Sequence, residues 1–529
     1  MTAKQMQILI GLSASAAAAL ATAFACTTSD EPCAGVSWPS ASGRVLRVSA
    51  KCGADSGDGS ATAPYATLQG ALAAAKPGDT VAVAAGTYTK GVTVPAGVHV
   101  AGAGAASVRL EPGTGPAMAI EGSGASRIAG IGVYNAIGFG ISVSKGAEAT
   151  LVGVRVEKTQ AGATAGHQGH GIAANGAKKI TLEGCQLVGN TGVGLVVQAS
   201  GPVGIIDPLF LKDPTASARG NGKVGIIDPL FTPQSQITGN QGGGVAIIDP
   251  LFAPSGDAAA SDLTVSATDL SANGKYGIAL YGASAAVSRT AIRATKGNLG
   301  DAADGLIVAP RQTNADKAPV LVVKVDAASV LTGNGRAGVL ATTGADVEIA
   351  AEVSLSGRGG VWAQGEKAKV RLTKTAVLAQ NTMVGVAVTA GATLDVSGAR
   401  VSDTKVHAYM PPAGGTAVDL ADGIGVFGKA RGTVRDAVIK GNPRAGVIGR
   451  DLAVDGNGLP ELKIENTQIL GSKYGVVITG KYGQQNVAGA AAAKDKGNSY
   501  DGVANESSEE DLAVQESPCE GGKPCGGAP

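Results

Sequence analysis

An all-β solenoid, one chain wound into stacked coils of short parallel strands behind an N-terminal helix, is the fold class that three observations predict. The first is composition: 81 of 529 residues are glycine and 44% are hydrophobic, yet only 3% are aromatic. A chain beyond the usual single-core size with so few large rings suits a small interior repeated many times. The second is a repeat, in which a glycine followed by apolar residues recurs from "GISV" at Gly140 through "GIAA" at Gly171, "GLVV" at Gly194 and "GVWA" at Gly360 to "GVVI" at Gly475. Asn190, Asn221, Asn240, Asn273, Asn334 and Asn442 precede several of these glycines. Turn residues at such offsets in a period of roughly 20 to 50 residues signal a solenoid, with each Asn or Gly able to take the left-handed corner conformation. The third is the opening "APYATLQGALAAAKPGDTVAVAAGTYTKGVTVPAGVHVAGAG". Within it Leu68, Leu72 and Ala75 recur at helical spacing, Pro77-Gly78 stop the helix, and the alternating pieces "TVAV", "VTV" and "VHV" predict strands.

The elements follow in order. Residues 1–25 carry one lysine, an uncharged apolar stretch and small residues before Cys26, the layout of an export signal. "ATAFAC" resembles a bacterial lipobox, which would make Cys26 a lipid anchor in the cell envelope; Ala23-Phe24-Ala25 also fits an ordinary cleavage site. Residues 26–62 are turn-rich and polar, as a tether is, residues 63–482 hold the repeat, and residues 483–529 are expected to form a mobile tail. Of six cysteines, Cys33 with Cys52 and Cys519 with Cys525 form local pairs if Cys26 is lipidated. Cys185 is then left over, as a small buried apolar residue.

The opening resembles the N-terminal part of right-handed parallel β-helix proteins of the pectin-lyase-like superfamily, in which such a helix covers the first coil. The resemblance covers roughly residues 63–482 and implies about a dozen coils. Activities in that superfamily differ widely, so it implies a fold rather than a reaction. Its polygalacturonases carry a "GHG" motif, matched here by Gly169-His170-Gly171, but their Asn-Thr-Asp, Asp-Asp and Arg-Ile-Lys motifs do not occur. His170 is therefore expected on a loop surface. The superfamily's pectate lyases use acids for calcium with Arg or Lys as base, which Asp301, Asp304 and Arg311 in "GDAADGLIVAPR" imitate weakly.

The octapeptide "VGIIDPLF" begins at Val203 and again at Val224, and "VAIIDPLF" begins at Val245, a rhythm of 21 residues. Proline donates nothing to a strand ladder, so Asp-Pro belongs at a corner. One copy per coil would stack Phe210, Phe231 and Phe252, together with Asp207, Asp228 and Asp249. Three stacked carboxylates could bind calcium, but the corner reading is preferred, and no cofactor is expected. Lys+Arg of 43 against Asp+Glu of 42 leaves no field to attract nucleic acid.

The glycine repeat also leaves a second, mostly apolar column on the outside of one sheet, with Trp362, Phe427 and Ile448 among its large members. Such a stripe is either a contact surface or is covered by the chain's own loops or tail. The sequence thus favours an exported, lipid-anchored envelope protein of the outer membrane or cell surface, with a binding or structural role toward a protein or glycan. A polysaccharide lyase or glycosidase is the alternative.

Overall fold

The computed structural model describes residues 33, 35–163, 168–198, 200–206, 235–248, 262–297, 303–310, 320–410, 416–480, 488, 491–508, 512 and 514. Strands mostly of three to six residues, broken by residues that favour corners, pair in parallel with the strand one coil away, His407–Tyr409 excepted. Val45–Val48, Thr80–Val83 and His99–Gly102 begin sheet I, Gly86–Tyr88 begins sheet II and Val92–Val94 begins sheet III. Among the described residues the sheets contain 15, 15 and 16 strands, the off-path one being His407–Tyr409, and from Thr80–Val83 to Tyr474–Thr479 the chain otherwise visits them in the order I, II, III. The product is a right-handed parallel β-helix of fourteen complete coils with a part-coil at each end, roughly 65–70 Å long at about 4.8 Å per coil.

Both ends add strands beyond the expected span. Val45–Val48, within the expected tether, pairs with Thr80–Val83. Ser499–Asp501 and Asn505–Ser508, within the expected tail, pair with Gln468–Leu470 and Tyr474–Thr479. Helix α1, Leu68–Ala74, is capped by the Thr67 hydroxyl, which accepts from the Gly70 N–H, and buries Leu68, Ala71 and Leu72 over the first coil. Cys33 and Cys52 are disulfide-bonded beside it. At the far end Ala488, Ala491 and Ala492 close the core, and the Tyr500 hydroxyl donates to the Ala492 carbonyl at 2.8 Å.

The first apolar residue after each repeat glycine points inward, so Ile141, Ile172, Leu195, Val245, Ile278 and Leu306 form one fully buried column. Each contributes on the order of 1.5–3 kcal/mol relative to exposure. The corner between sheets II and III differs from expectation. The left-handed residues are Gly189, Gly239, Ala272 and Gly333, each one place before an asparagine. The asparagines themselves turn inward as a buried ladder, where Asn190 Nδ2 donates to Asn240 Oδ1 at 2.8 Å and Asn240 Nδ2 to Asn273 Oδ1 at 3.0 Å. A buried amide must satisfy donor and acceptor together, and an identical residue one coil away supplies both.

The octapeptide copies do not stack. Val203–Ile206 lies in sheet I, pairing with Ile180–Glu183, whereas the third copy lies in Gly243–Ile248 of sheet III, where Val245 pairs with Leu195. The described parts of the first and third copies, Val203–Ile206 and Val245–Ile248, therefore occupy different faces of the same coil. Alternating apolar residues fit the inside of any of the three sheets, so the 21-residue rhythm is not the coil period. Asp207, Asp228, Asp249 and the three phenylalanines lie outside the described residues.

Candidate functional site: the outer face of sheet III

Outward positions in each coil of sheet III are the residue before the repeat glycine and the second residue after it. In its N-terminal half these positions frame a cleft of about 770 Å³, with Phe139, His170 and Tyr276 along one side and Asn175, Gln198 and Gln241 contributing amides. Ala173, Val196 and Ala246 lie on its floor, and small side chains there leave the hollow. Phe139 and His170 are register partners whose rings stack at 6.0 Å and 21°.

His170 is not on a loop surface. It opens the strand His170–Asn175 and is 8% exposed. The Val193 N–H donates to its Nδ1 at 3.0 Å, and burial pushes its pKa down to about 4. The ring is thus neutral at ordinary pH, with one nitrogen already occupied by the backbone.

Asp304 begins the strand Asp304–Ala309 and is fully buried. Arg336, from the next coil, grips it with two N–H groups: Nε donates to Oδ1 at 2.9 Å and Nη2 to Oδ2, while the Ala337 N–H also donates to Oδ1 at 3.1 Å. Asp422 repeats the arrangement, with Arg444 Nε donating to Oδ1 at 2.8 Å and Nη2 to Oδ2. Burial raises the Asp422 carboxyl, while Arg444 and the Ala445 N–H oppose that rise. Paired forks of this kind occupy both oxygens of the carboxyl group and spend its lone pairs. The sequence contains the signal for these clasps: "ADG" in one coil, at Asp304 and Asp422, followed one coil later by "NGRAG" at Asn334 and "NPRAG" at Asn442. Register, not proximity along the chain, brings each aspartate and its arginine together.

His170 is four coils from Asp304, and Asp304 four from Asp422, about 19 Å in each case. Glycosidase carboxylates stand only about 5 to 9.5 Å apart. The structure brings none of these three together. Asp301, Arg311, Cys26, Cys519 and Cys525 lie outside the described residues. Among the described residues no group of three His, Cys, Asp or Glu side chains could hold a metal. Cys185 is buried, its thiol donates to the Leu151 carbonyl at 3.3 Å, and burial pushes its pKa up to about 12, which makes it a core residue and no nucleophile.

The C-terminal half of the same face is filled. Trp362, Phe427 and Ile448 are 1%, 3% and 1% exposed, so the expected contact stripe is not open. The segment that interrupts the repeat folds back as an arm: His407–Tyr409 pairs antiparallel with the start of Val418–Phe427, setting His407 opposite Leu420 and Tyr409 opposite Val418. Tyr409, Val418 and the tail residues Leu512 and Val514 pack on the cluster formed by Leu340, Trp362, Ile448, Tyr474 and Val477. Phe427 belongs to a different column from Trp362 and Ile448. Ile424 is the residue in register with Val386 and Val447, which places Gly425 between Ala387 and Ile448. The Phe427 ring then folds over Gly425, where an added Cβ would meet the ring at 2.5 Å.

A model of a family described as "Protein of unknown function (DUF1565)" matches residues 51–207. No curated protein matches the chain. Among solved structures, a rhamnogalacturonan lyase is 11% identical over 80% of this chain and 87% of its own, with a TM-score of 0.26. An Azotobacter vinelandii mannuronan C-5 epimerase A-module is 14% identical over 84% of this chain and 95% of its own, with a TM-score of 0.21. A PL6 family alginate lyase mutant is 11% identical over 82% and 88%, with a TM-score of 0.24. The β-helix is established by the strand registers themselves.

Proposed function

We propose that the protein is a non-catalytic glycan-binding rod of the cell envelope, and that the cleft on the N-terminal half of sheet III receives the glycan. The observation that carries this reading is the pairing of an open cleft with locked acids. Asn175, Gln198 and Gln241 offer both donors and acceptors to hydroxyl groups, and the Phe139 ring offers an apolar face. Asp304 and Asp422 are meanwhile consumed by Arg336 and Arg444. Among the described residues Lys275 is the only charged side chain on the cleft and no carboxylate lines it, which suits glycan binding over a reaction that needs paired acids. The Cys33–Cys52 disulfide supports export, because such bonds persist in oxidising compartments. Anchoring falls to Cys26, and Cys26→Ser is expected to release the protein from membranes, since one lipidated residue supplies the whole anchor.

The decisive experiment offers neutral and uronic-acid polysaccharides, with and without calcium, and records binding and product together. Saturable binding to a glycan, weakened at least tenfold by Phe139→Ala with Gln198→Ala and without new reducing ends or unsaturated sugars, is the expected result. Product formation would establish the lyase or glycosidase alternative instead.

A further inference from the structure

We propose that the C-terminal half of sheet III's outer face is a peptide-binding groove, occupied in cis by the chain's own tail around Leu512 and Val514. The groove has an apolar floor of Leu340, Trp362, Ile448 and Val477, and the arm carrying Tyr409 and Val418 forms part of its cover. Leu512 and Val514 pack on the same cluster while remaining only partly buried. They stand two residues apart, the spacing at which an extended segment directs both side chains to one side. Their surroundings in sequence are acidic: Glu509, Glu510, Asp511 and Glu516 flank "LAV". Basic residues stand along one border of the groove. Arg336, Arg358, Arg444 and Lys473 each stand two places before a repeat glycine, at the same corner of successive or neighbouring coils. Arg336 and Arg444 clasp their aspartates there, and Lys473 Nζ lies 4.6 Å over the Tyr474 ring, within the apolar cluster. A segment with apolar residues at alternate positions therefore matches the floor, and the tail is joined to this face through Asn505–Ser508, the last strand of sheet III. The tail strands and the cleft of the preceding section lie in different halves of the rod, so this site stands independently of glycan binding.

The test uses the full chain with Leu512→Asp and Val514→Asp, and a labelled peptide of residues 508–517. The variant should bind the peptide saturably. The wild type, whose tail competes at high effective concentration, should bind at least tenfold more weakly. A peptide with serine at both apolar positions should not bind. Equal binding by variant and wild type, no binding by the variant, or equal binding of the serine peptide would each overturn the proposal. Loss of the β-sheet circular dichroism signal in this variant and in a milder Leu512→Ser chain would overturn it too, because the tail would then be part of the folding core and not an exchangeable strap.

Discussion

The two halves of sheet III's outer face are built on one backbone plan and end in opposite states. In the N-terminal half the second position after the repeat glycine holds Ser142, Ala173, Val196 and Ala246, and the face is hollow enough for a cleft. In the C-terminal half the same position holds Leu340, Trp362 and Ile448, and these are buried beneath an arm and a tail. The inward column hardly changes between the halves, so coil geometry is indifferent to what the outside does. The difference teaches that in a solenoid the interior specifies the fold and the outward column specifies what each stretch is for.

The largest expected effect concerns the clasps. Arg444→Ala leaves the buried Asp422 carboxylate without its partner and is expected to cost roughly 3–5 kcal/mol in chemical denaturation. Replacing both partners by apolar residues, as Asp422→Leu with Arg444→Met, should recover most of that loss. If the single variant costs nothing, the carboxylate is not committed to the structure and the comparison with an open, acid-free cleft collapses.

Next comes a matched pair of truncations. Ile448→Ala, beneath the cover, should cost about 2–5 kcal/mol, whereas Val196→Ala, at the floor of the cleft, should cost under about 1 kcal/mol. Equal costs would mean that both halves are packed alike.

A smaller effect is pH dependence at the cleft. Burial holds His170 at about 4 against 6.5 as a reference, so between those values the unfolded chain takes up the proton that the folded chain refuses. The contribution of neutral His170 is therefore complete above about pH 6.5 and lost as pH falls toward 4, on the order of 2–3 kcal/mol in all. His170→Phe, which retains the stack on Phe139, should flatten that part of the stability profile. An unchanged slope from pH 6.5 to 4 would show that His170 is hydrated and the cleft wetter than its geometry indicates.

Much of the fold was legible because its causes are local. Leu68 and Leu72 with Pro77-Gly78 define the capping helix, and the glycine repeat places Ile141, Ile172 and Leu195 inward at one per coil. What the sequence hid depends on register. Val203 and Val245 begin nearly identical octapeptides, yet one enters sheet I and the other sheet III, since either interior accepts the same alternation. Asp304 looked like an available acid because Arg336, its partner, is 32 residues away and becomes a neighbour only when coils stack. The burial of Trp362 was equally hidden: nothing in residues 402–422 reveals which face a folded-back arm will cover, and the pairing of Tyr409 with Val418 decides it. The asparagine column was visible, but its role was not. Positive φ falls on Gly189 and Gly239, and the adjacent asparagines serve as a buried amide ladder.

Hydroxyl-radical footprinting of the intact protein tests the division of the face most directly, because it reads side-chain accessibility at single residues. Trp362, although tryptophan is among the most reactive side chains, should be modified at least tenfold more slowly than the half-buried Trp38, and Phe427 more slowly than Phe139. Trp362 reacting as fast as Trp38, or Phe139 protected as fully as Phe427, would contradict the account of one open and one covered half.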